Sequence, residues 1–270
     1  MIIFSFLGVI NFKSPFLGAI IYNVSTNNYS KQNNIPIVRW TIGDVRPDGY
    51  RCLVKSINSF KELYKVEIVI CYNCSYENIP SELLAYNLID QSQHIGSIQA
   101  NPKGVSWKLY PPRLDINRHE LFIDNDLIIK EKIPQIDHFF ENNCTILLAE
   151  TGRTYGRFEN YVPPDKCINS GLFGLPPKFN LQNFLNFYVG AEWQTNAHNE
   201  YAQSQTWDEQ GLIAFALLTH PDYVIIPETE VSNCEYNLTD GKGYHFIGLN
   251  RRAFHRPFKL WLHKNTKIFI

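Results

Sequence analysis

The sequence predicts an α/β domain on a mostly parallel sheet, and three observations lead there. A strand, an amphipathic helix and a second strand follow one another between residues 35 and 72. Further short apolar runs alternate with helical patterns down to residue 220, and the residues able to do chemistry fall on the loops between them. A strand–helix–strand unit implies parallel strands joined by a right-handed crossover.

The elements follow in order. "IPIVRWTI" (35–42) reads as a strand. "DGYRCLVKSINSFKEL" (48–63) places Tyr50, Leu53, Val54, Ile57 and Phe60 at helical spacing behind Asp48 as a cap. "VEIVICY" (66–72) is the second strand, and "IPSELLAYNLID" (79–90), opened by Pro80 and Ser81, reads as a helix. Residues 91–117 are mixed, and the double proline of "GVSWKLYPPRLDI" ends any helix there. "ELFID" is a short buried strand. "NCTILLAE" (143–150) and "CINSGLFGLP" (167–176) are two more, separated by the loop "TGRTYGRFENYVPPD". "FNLQNFLNFYVGAEWQ" and "WDEQGLIAFALLTH" read as helices. Residues 35–270 are expected to form a single domain, with 1–34 an amino-terminal extension or extra strands outside it.

Composition narrows the class. At 270 residues, 44% hydrophobic and 19% charged, the chain can bury one large core. Its formal net charge of -1 argues against a nucleic-acid partner, which needs a basic excess. Cys52, Cys71, Cys74, Cys144, Cys167 and Cys234 include one lone CxxC and lie largely in apolar runs, so they read as reduced core thiols of a cytoplasmic protein. Sequons at Asn23, Asn28, Asn73, Asn143 and Asn237 point the other way, although an Asn-rich chain produces them by chance. The opening "MIIFSFLGVINFKSPFLGAIIYN" is apolar but broken by Asn11, Lys13 and Pro15. It favours an extra strand or hairpin over a membrane anchor, and the expected location is cytoplasmic or peripheral to a membrane.

In "ELFIDNDLII" (120–129), Asp124 and Asp126 interrupt an otherwise buried run. Aspartates between two strands suit a turn. A pair closing a strand in an α/β sheet also suits a divalent cation held by hard oxygen ligands, with sites left for phosphate oxygens. Asp-x-Asp alone does not choose between the two.

The order "RLDINRHELFIDNDLII", "INSGLFGLP", "WDEQGLI", "IIPETEVSN" and "GYHFIG" resembles the glycogenin and bacterial galactosyltransferase type of nucleotide-sugar glycosyltransferase, over roughly residues 35 to 250. The resemblance implies a GT-A (Rossmann-like) nucleotide-diphospho-sugar transferase fold and a metal-dependent, retaining transfer of a hexose from a UDP-sugar to an acceptor hydroxyl. The acceptor would be a glycan, a lipid or a small molecule. It implies that Asp124 and Asp126 form the DxD motif for Mn2+ or Mg2+, with Asp124 also on the donor ribose, and that His245 is the third metal ligand. Asn169, Ser170 and Gly171 would lie beside the donor sugar, and Glu209 and Gln210 near the reaction centre. Thr41, Asp44 and Arg46, at and after the first strand, would lie where the base docks. The family's Lys-Pro-Trp phosphate clamp has only the distant counterpart "FHRPFKLW", so Arg256 competes with Lys259, Arg251 and Arg252 for that role.

Each residue also carries a structural reading. "TWDE" (206–209) matches a capping box, so Glu209 could tie down a helix terminus. His245 could be a core histidine, Asn169 could hold a strand-to-turn transition, and Asp44 and Arg46 could be a turn and a surface ion pair. Three other activities compete: a non-catalytic nucleotide-sugar-binding protein of the same fold, an inverting transferase with Asp208 or Glu209 as base, and a nucleotidyltransferase. The last usually brings an early Gly-rich phosphate loop, which is missing here.

Overall fold

The computed structural model describes residues 35–43, 45–92, 105–181, 204–252 and 254–266. They belong to one unit, Asn34–Ile270, and the expected amino-terminal extension lies outside them. The elements are β1 (Ile37–Ile42), α1 (Pro47–Leu63), β2 (Glu67–Tyr72), β3 (Asn87–Asp90), β4 (Glu120–Ile123), β5 (Leu127–Ile129), α2 (Pro134–Glu141), β6 (Thr145–Ala149), β7 (Ile168–Leu175), α3 (Ser204–Leu218), β8 (Tyr223–Ile226), β9 (Val231–Asn233), β10 (Gly243–His245) and α4 (Arg256–Thr266).

Seven strands form one sheet in the order β3-β2-β1-β4-β7-β6-β8, and β5-β10-β9 form a small second sheet. In the large sheet β7 alone runs antiparallel to its neighbours, β4 and β6. The mostly parallel expectation therefore holds. Side chains alternate across the sheet with the period of two that strands impose. Leu121, Ile123, Ile146 and Leu148 join α1 and α2 on one face, with Trp40, Leu53, Ile57, Phe60 and Phe139. Phe122, Leu147, Phe173 and Leu175 join α3 on the other, against Leu212, Ile213 and Leu217. Burial on both faces explains why "ELFI" is apolar throughout its last three residues.

Two local expectations are corrected, and one helix is added. Residues 79–90 are not a helix: Pro80 and Ser81 open only a 3-10 turn, Ser81–Leu83, and Asn87–Asp90 then pairs parallel with β2. A short helix is marginal by itself, whereas the open edge of β2 offers those backbone groups ladder partners. The cap of α1 is Arg46, with Pro47 in the first turn, and no side-chain cap bond forms. Asp48 instead sits inside the helix and pairs with Lys259 of α4, 2.8 Å away. "PQIDHFFE" forms α2, an eight-residue helix with no place in the sequence reading. Most of "FNLQNFLNFYVGAEWQ" lies outside the described residues. Among the described residues no helix is long and apolar enough to cross a membrane.

An ion pair sits inside the sheet. Arg39 of β1 and Glu120 of β4 meet at 2.9 Å with both side chains fully buried. The guanidinium also stacks over Phe122, 4.5 Å to the ring centroid. It donates to the carbonyls of Pro111 (2.7 Å), Tyr110 (3.1 Å) and Lys108 (3.4 Å). Glu120 also accepts from the Leu114 amide at 2.9 Å. A charge pair buried this deeply depends on partners for its remaining donors and acceptors, and the 105–114 segment supplies them to both terminal nitrogens of Arg39 and to Glu120, while Arg39 Nε has none. That segment is thereby held over the sheet with Lys108 facing the end of β4.

Candidate active site

The backbone around the acidic pair is set by both sheets. Beyond β4, the Asp124 amide donates to Gly171 O at 2.8 Å, extending the ladder with β7 by one bond. The Leu127 amide closes a turn onto Asp124 O at 3.2 Å, and β5 leaves it to pair antiparallel with β10, His245 opposite Leu127. The Phe246 amide then donates to Asp126 O at 2.8 Å. The turn reading of the pair thus holds: Asp124 and Asp126 lie in a turn, and the turn faces His245.

Ligand atoms from Asp124, Asp126 and His245 lie within 4.8 Å of one another. His245 Nε2 is 3.4 Å from Asp126 Oδ1 and 3.9 Å from Asp124 Oδ2. Two carboxylates and an imidazole within that spacing fit a divalent cation of the manganese or magnesium class. The imidazole is nearly enclosed and Asp124 keeps a third of its side chain in solvent, so the cluster opens on the Asp124 side. Burial opposes a charge on His245, yet the hydrogen bond and charge of Asp126, with the charge of Asp124, raise its pKa above the ordinary value. Gly171 makes this packing possible: a Cβ there would stand 2.4 Å from His245 Cε1 and 2.8 Å from Nε2.

Lys108 stands on the open side. Its ammonium is 2.7 Å from Asp124 Oδ1, 3.2 Å from Ser170 O and 3.3 Å from Glu209 Oε1. Burial works against its charge, but Asp124 and Glu209 prevail and its pKa is raised. Burial pushes Glu209 up to about 7 against the pull of Lys108. The ammonium lies closer to Asp124, leaving Glu209 the less compensated carboxylate.

The helix carrying Glu209 starts at Ser204, so "TWDE" is no capping box and Glu209 lies beyond the first turn. Gln210 beside it accepts from the Ser170 amide at 3.2 Å and donates to Thr154 Oγ1 at 2.9 Å. The Asn169 side chain accepts from the Gly171 amide and donates to Glu150 Oε2, both at 2.6 Å. Asn169, Ser170, Gly171, Glu209 and Gln210 therefore gather around the acidic cluster.

The other candidates are placed differently. Thr41 lies half-buried near the carboxyl end of β1, Arg46 is exposed ahead of α1, and Asp44 lies outside the described residues. Arg256 is exposed at the start of α4. Arg252 pairs with Glu235 at 2.6 Å and Lys259 with Asp48, so both are engaged elsewhere. The side chain of Arg251 is not among those described. Sequence reasoning missed Lys108, whose only trace was a lysine between Trp107 and Leu109 in an unassigned stretch, and missed Glu150 and Asn233 as well.

No family model matches the chain, and no curated protein matches it. Solved structures do. Mouse xyloside xylosyltransferase 1 in its apo form superposes with a TM-score of 0.53 at 14% identity, over 80% of this chain and 99% of that one. The bifunctional glycosyltransferase WbbM gives 0.56 at 13%, over 82% of this chain and 47% of that one, so this chain spans less than half of WbbM. The galactosyltransferase LgtC, solved with donor and acceptor sugar analogues, gives 0.53 at 8%, over 84% and 95%. At these identities the likeness establishes the fold, and it is the GT-A glycosyltransferase fold.

Proposed function

We propose that residues 35–270 form one catalytic domain, a metal-dependent glycosyltransferase that moves a hexose from a UDP-sugar to an acceptor hydroxyl with retention of configuration. The observation that carries this reading is the convergence of Asp124, Asp126 and His245 beyond the carboxyl end of a parallel strand in a GT-A sheet. Ligands of such sheets bind at that edge. These three side chains would hold Mn2+ or Mg2+, and a bound ion would supply Lewis-acid neutralisation of the departing diphosphate.

The residues around the cluster have separable tasks. Asp124, the most open of the three, is placed to take the donor ribose as well. Lys108 presents a fixed cation on that open side, where charge on the donor would arrive, and its two carboxylate partners hold it in place before any donor binds. Gln210 and Asn169 lock the Ser170–Gly171 backbone and so shape the wall beside the sugar. Thr41 near the end of β1, with Asp44 and Arg46 that follow it in the sequence, is assigned to the nucleotide side. Retention is supported by Glu209, which is buried against Lys108 instead of standing open to an acceptor hydroxyl as an inverting base would.

The test is a screen of nucleotide sugars for manganese-dependent release of UDP, paired with calorimetry of UDP binding. UDP release should need the metal, and Asp126→Asn should abolish the metal dependence of UDP affinity. Equal UDP affinity in excess chelator would overturn the metal reading. Stoichiometric donor binding with no UDP release across a broad acceptor panel would identify a binding protein of the same fold, a reading favoured by the engagement of Arg252 and Lys259 away from the cluster.

A further inference from the structure

Between the two aspartates stands Asn125, which is buried although it lies in a turn. β4 ends at Ile123 and β5 begins at Leu127, so the turn consists of Asp124, Asn125 and Asp126. Backbone bonds hold the aspartates: the Asp124 amide donates to Gly171 O, Asp124 O accepts from the Leu127 amide, and Asp126 O accepts from the Phe246 amide. Asn125 is held through its side chain, whose Oδ1 accepts from Asn250 Nδ2 at 2.7 Å.

The segment that follows His245 brings Asn250 there. Gly248 takes φ +80°, a left-handed conformation in which a side chain is strained, and leads the chain into the short 3-10 helix Leu249–Arg251. Phe246 and Leu249 are buried, and the Leu249 amide closes the bend onto Phe246 O at 3.0 Å. The oxygen of the Asn250 amide presses on the first turn of α1, where a Cβ on Gly49 would collide with it. That oxygen is buried and has no hydrogen-bond partner among the described residues. A buried acceptor left unpaired opposes folding, so stability does not account for an asparagine at this position. What the side chain supplies is the donor for Asn125.

We propose that Asn125 and Asn250 are positioning residues: their amide–amide hydrogen bond fixes the Asp124–Asp126 turn to the segment that carries His245 and so sets the spacing of the three side chains. Segment 245–250 then holds the turn at two points, by main chain at Asp126 and by side chain at Asn125. The second point is needed because β5 and β10 are three residues long, and Leu127 and His245 pair at the very end of that ladder. A pairing so short restrains its ends weakly by itself. A working constellation of side chains has to be held to within about 0.5 Å.

The test uses the full chain with Asn125→Ala, Asn250→Ala and the double variant. Amide hydrogen exchange, read residue by residue in the metal-free proteins, reports the turn itself. Mn2+ titration followed by electron paramagnetic resonance reports the affinity, and this arm alone rests on the proposed metal site. Each single variant should speed exchange of the Leu127 and Phe246 amides by up to about tenfold, leave the Ile146 and Leu147 amides of β6 as in the parent, and weaken Mn2+ binding about tenfold or more. The double variant should lose no more than either single one, because both remove the same bond. Parent-like exchange at Leu127 and Phe246 overturns the proposal, and so does parent-like Mn2+ affinity in the single variants. Losses that add in the double variant, or exchange that rises equally in β6, would show two independent structural residues and overturn it as well. Either single variant tests the bond, so failure of one to fold leaves the other to decide. A parent that takes up no Mn2+ would sink the metal reading, and exchange at Leu127 and Phe246 would still decide whether the pair locks the turn.

Discussion

The ammonium of Lys108 lies 2.7 Å from Asp124 Oδ1 and 3.3 Å from Glu209 Oε1, joining the open carboxylate of the acidic cluster to the buried one on α3. Lys108→Met removes the cation and leaves both acids without it. Preorganised groups that meet developing charge are commonly worth about a hundred- to a thousandfold in turnover. We expect donor turnover to drop by about that factor in Lys108→Met, with partial retention in Lys108→Arg, measured as UDP release under saturating donor. Unchanged turnover in Lys108→Met would remove Lys108 from the site.

Glu209 supplies a pH dependence of stability. Its pKa rises from an ordinary 4.5 to about 7 in the folded chain, burial being the main cause. The folded state then holds the proton more tightly than the unfolded chain. This contribution is complete below the ordinary value and is lost as pH climbs through about 7. Without metal or nucleotide, the parent should lose up to about 3 kcal/mol between about pH 5 and about pH 8 that Glu209→Gln does not lose. Denaturant unfolding of both proteins at the two pH values measures it, and parallel losses would show that Glu209 does not titrate in this range.

Gly171→Ala tests the closeness of β7 to the imidazole. The added methyl would meet His245 Cε1 at 2.4 Å, and the ring, held by Asn233 behind, has little room to retreat. Overpacking of this kind costs about 1–3 kcal/mol. Here it should appear as a loss of Mn2+ and UDP affinity of about tenfold or more, with a smaller drop in melting temperature. A Gly171→Ala protein that binds both like the parent would show that the ring moves freely.

Arg39→Met breaks the pair inside the sheet and leaves Glu120 buried without its closest cation, which costs about 3–5 kcal/mol when one partner is removed. It also removes a donor from the Lys108, Tyr110 and Pro111 carbonyls. We expect a lower denaturation midpoint together with faster amide exchange across residues 105–114. A stability loss with unaltered exchange there would mean that the segment is held by other contacts.

Local chemistry made much of this protein readable in its sequence. The strand–helix–strand unit from 35 to 72 was legible because each apolar run matches the period of its element. The acidic pair was legible because two aspartates cannot sit in a buried strand unless they turn or bind. The order of the "DND", "NSG", "DEQ" and "HFIG" segments named the residues that the fold brings together, although the chain separates Asp124 from His245 by the greater part of the domain.

Tertiary structure decided the rest. Residues 79–90 became a turn and an edge strand because β2 had an open side, a partner that the local helical pattern does not contain. Glu209 left its capping-box role because α3 begins at Ser204, and its burial against Lys108 is what pushes its pKa up. Lys108, Glu150 and Asn233 carried no signal, since each matters through a partner distant in sequence: Lys108 through Asp124 and Glu209, Glu150 through Asn169, Asn233 through His245. Hydrophobic period and turn chemistry are properties of neighbouring residues and can be read along the chain. The pairing of buried charges and the orientation of an amide depend on which groups folding leaves without water, and that is determined only when the strands are laid side by side.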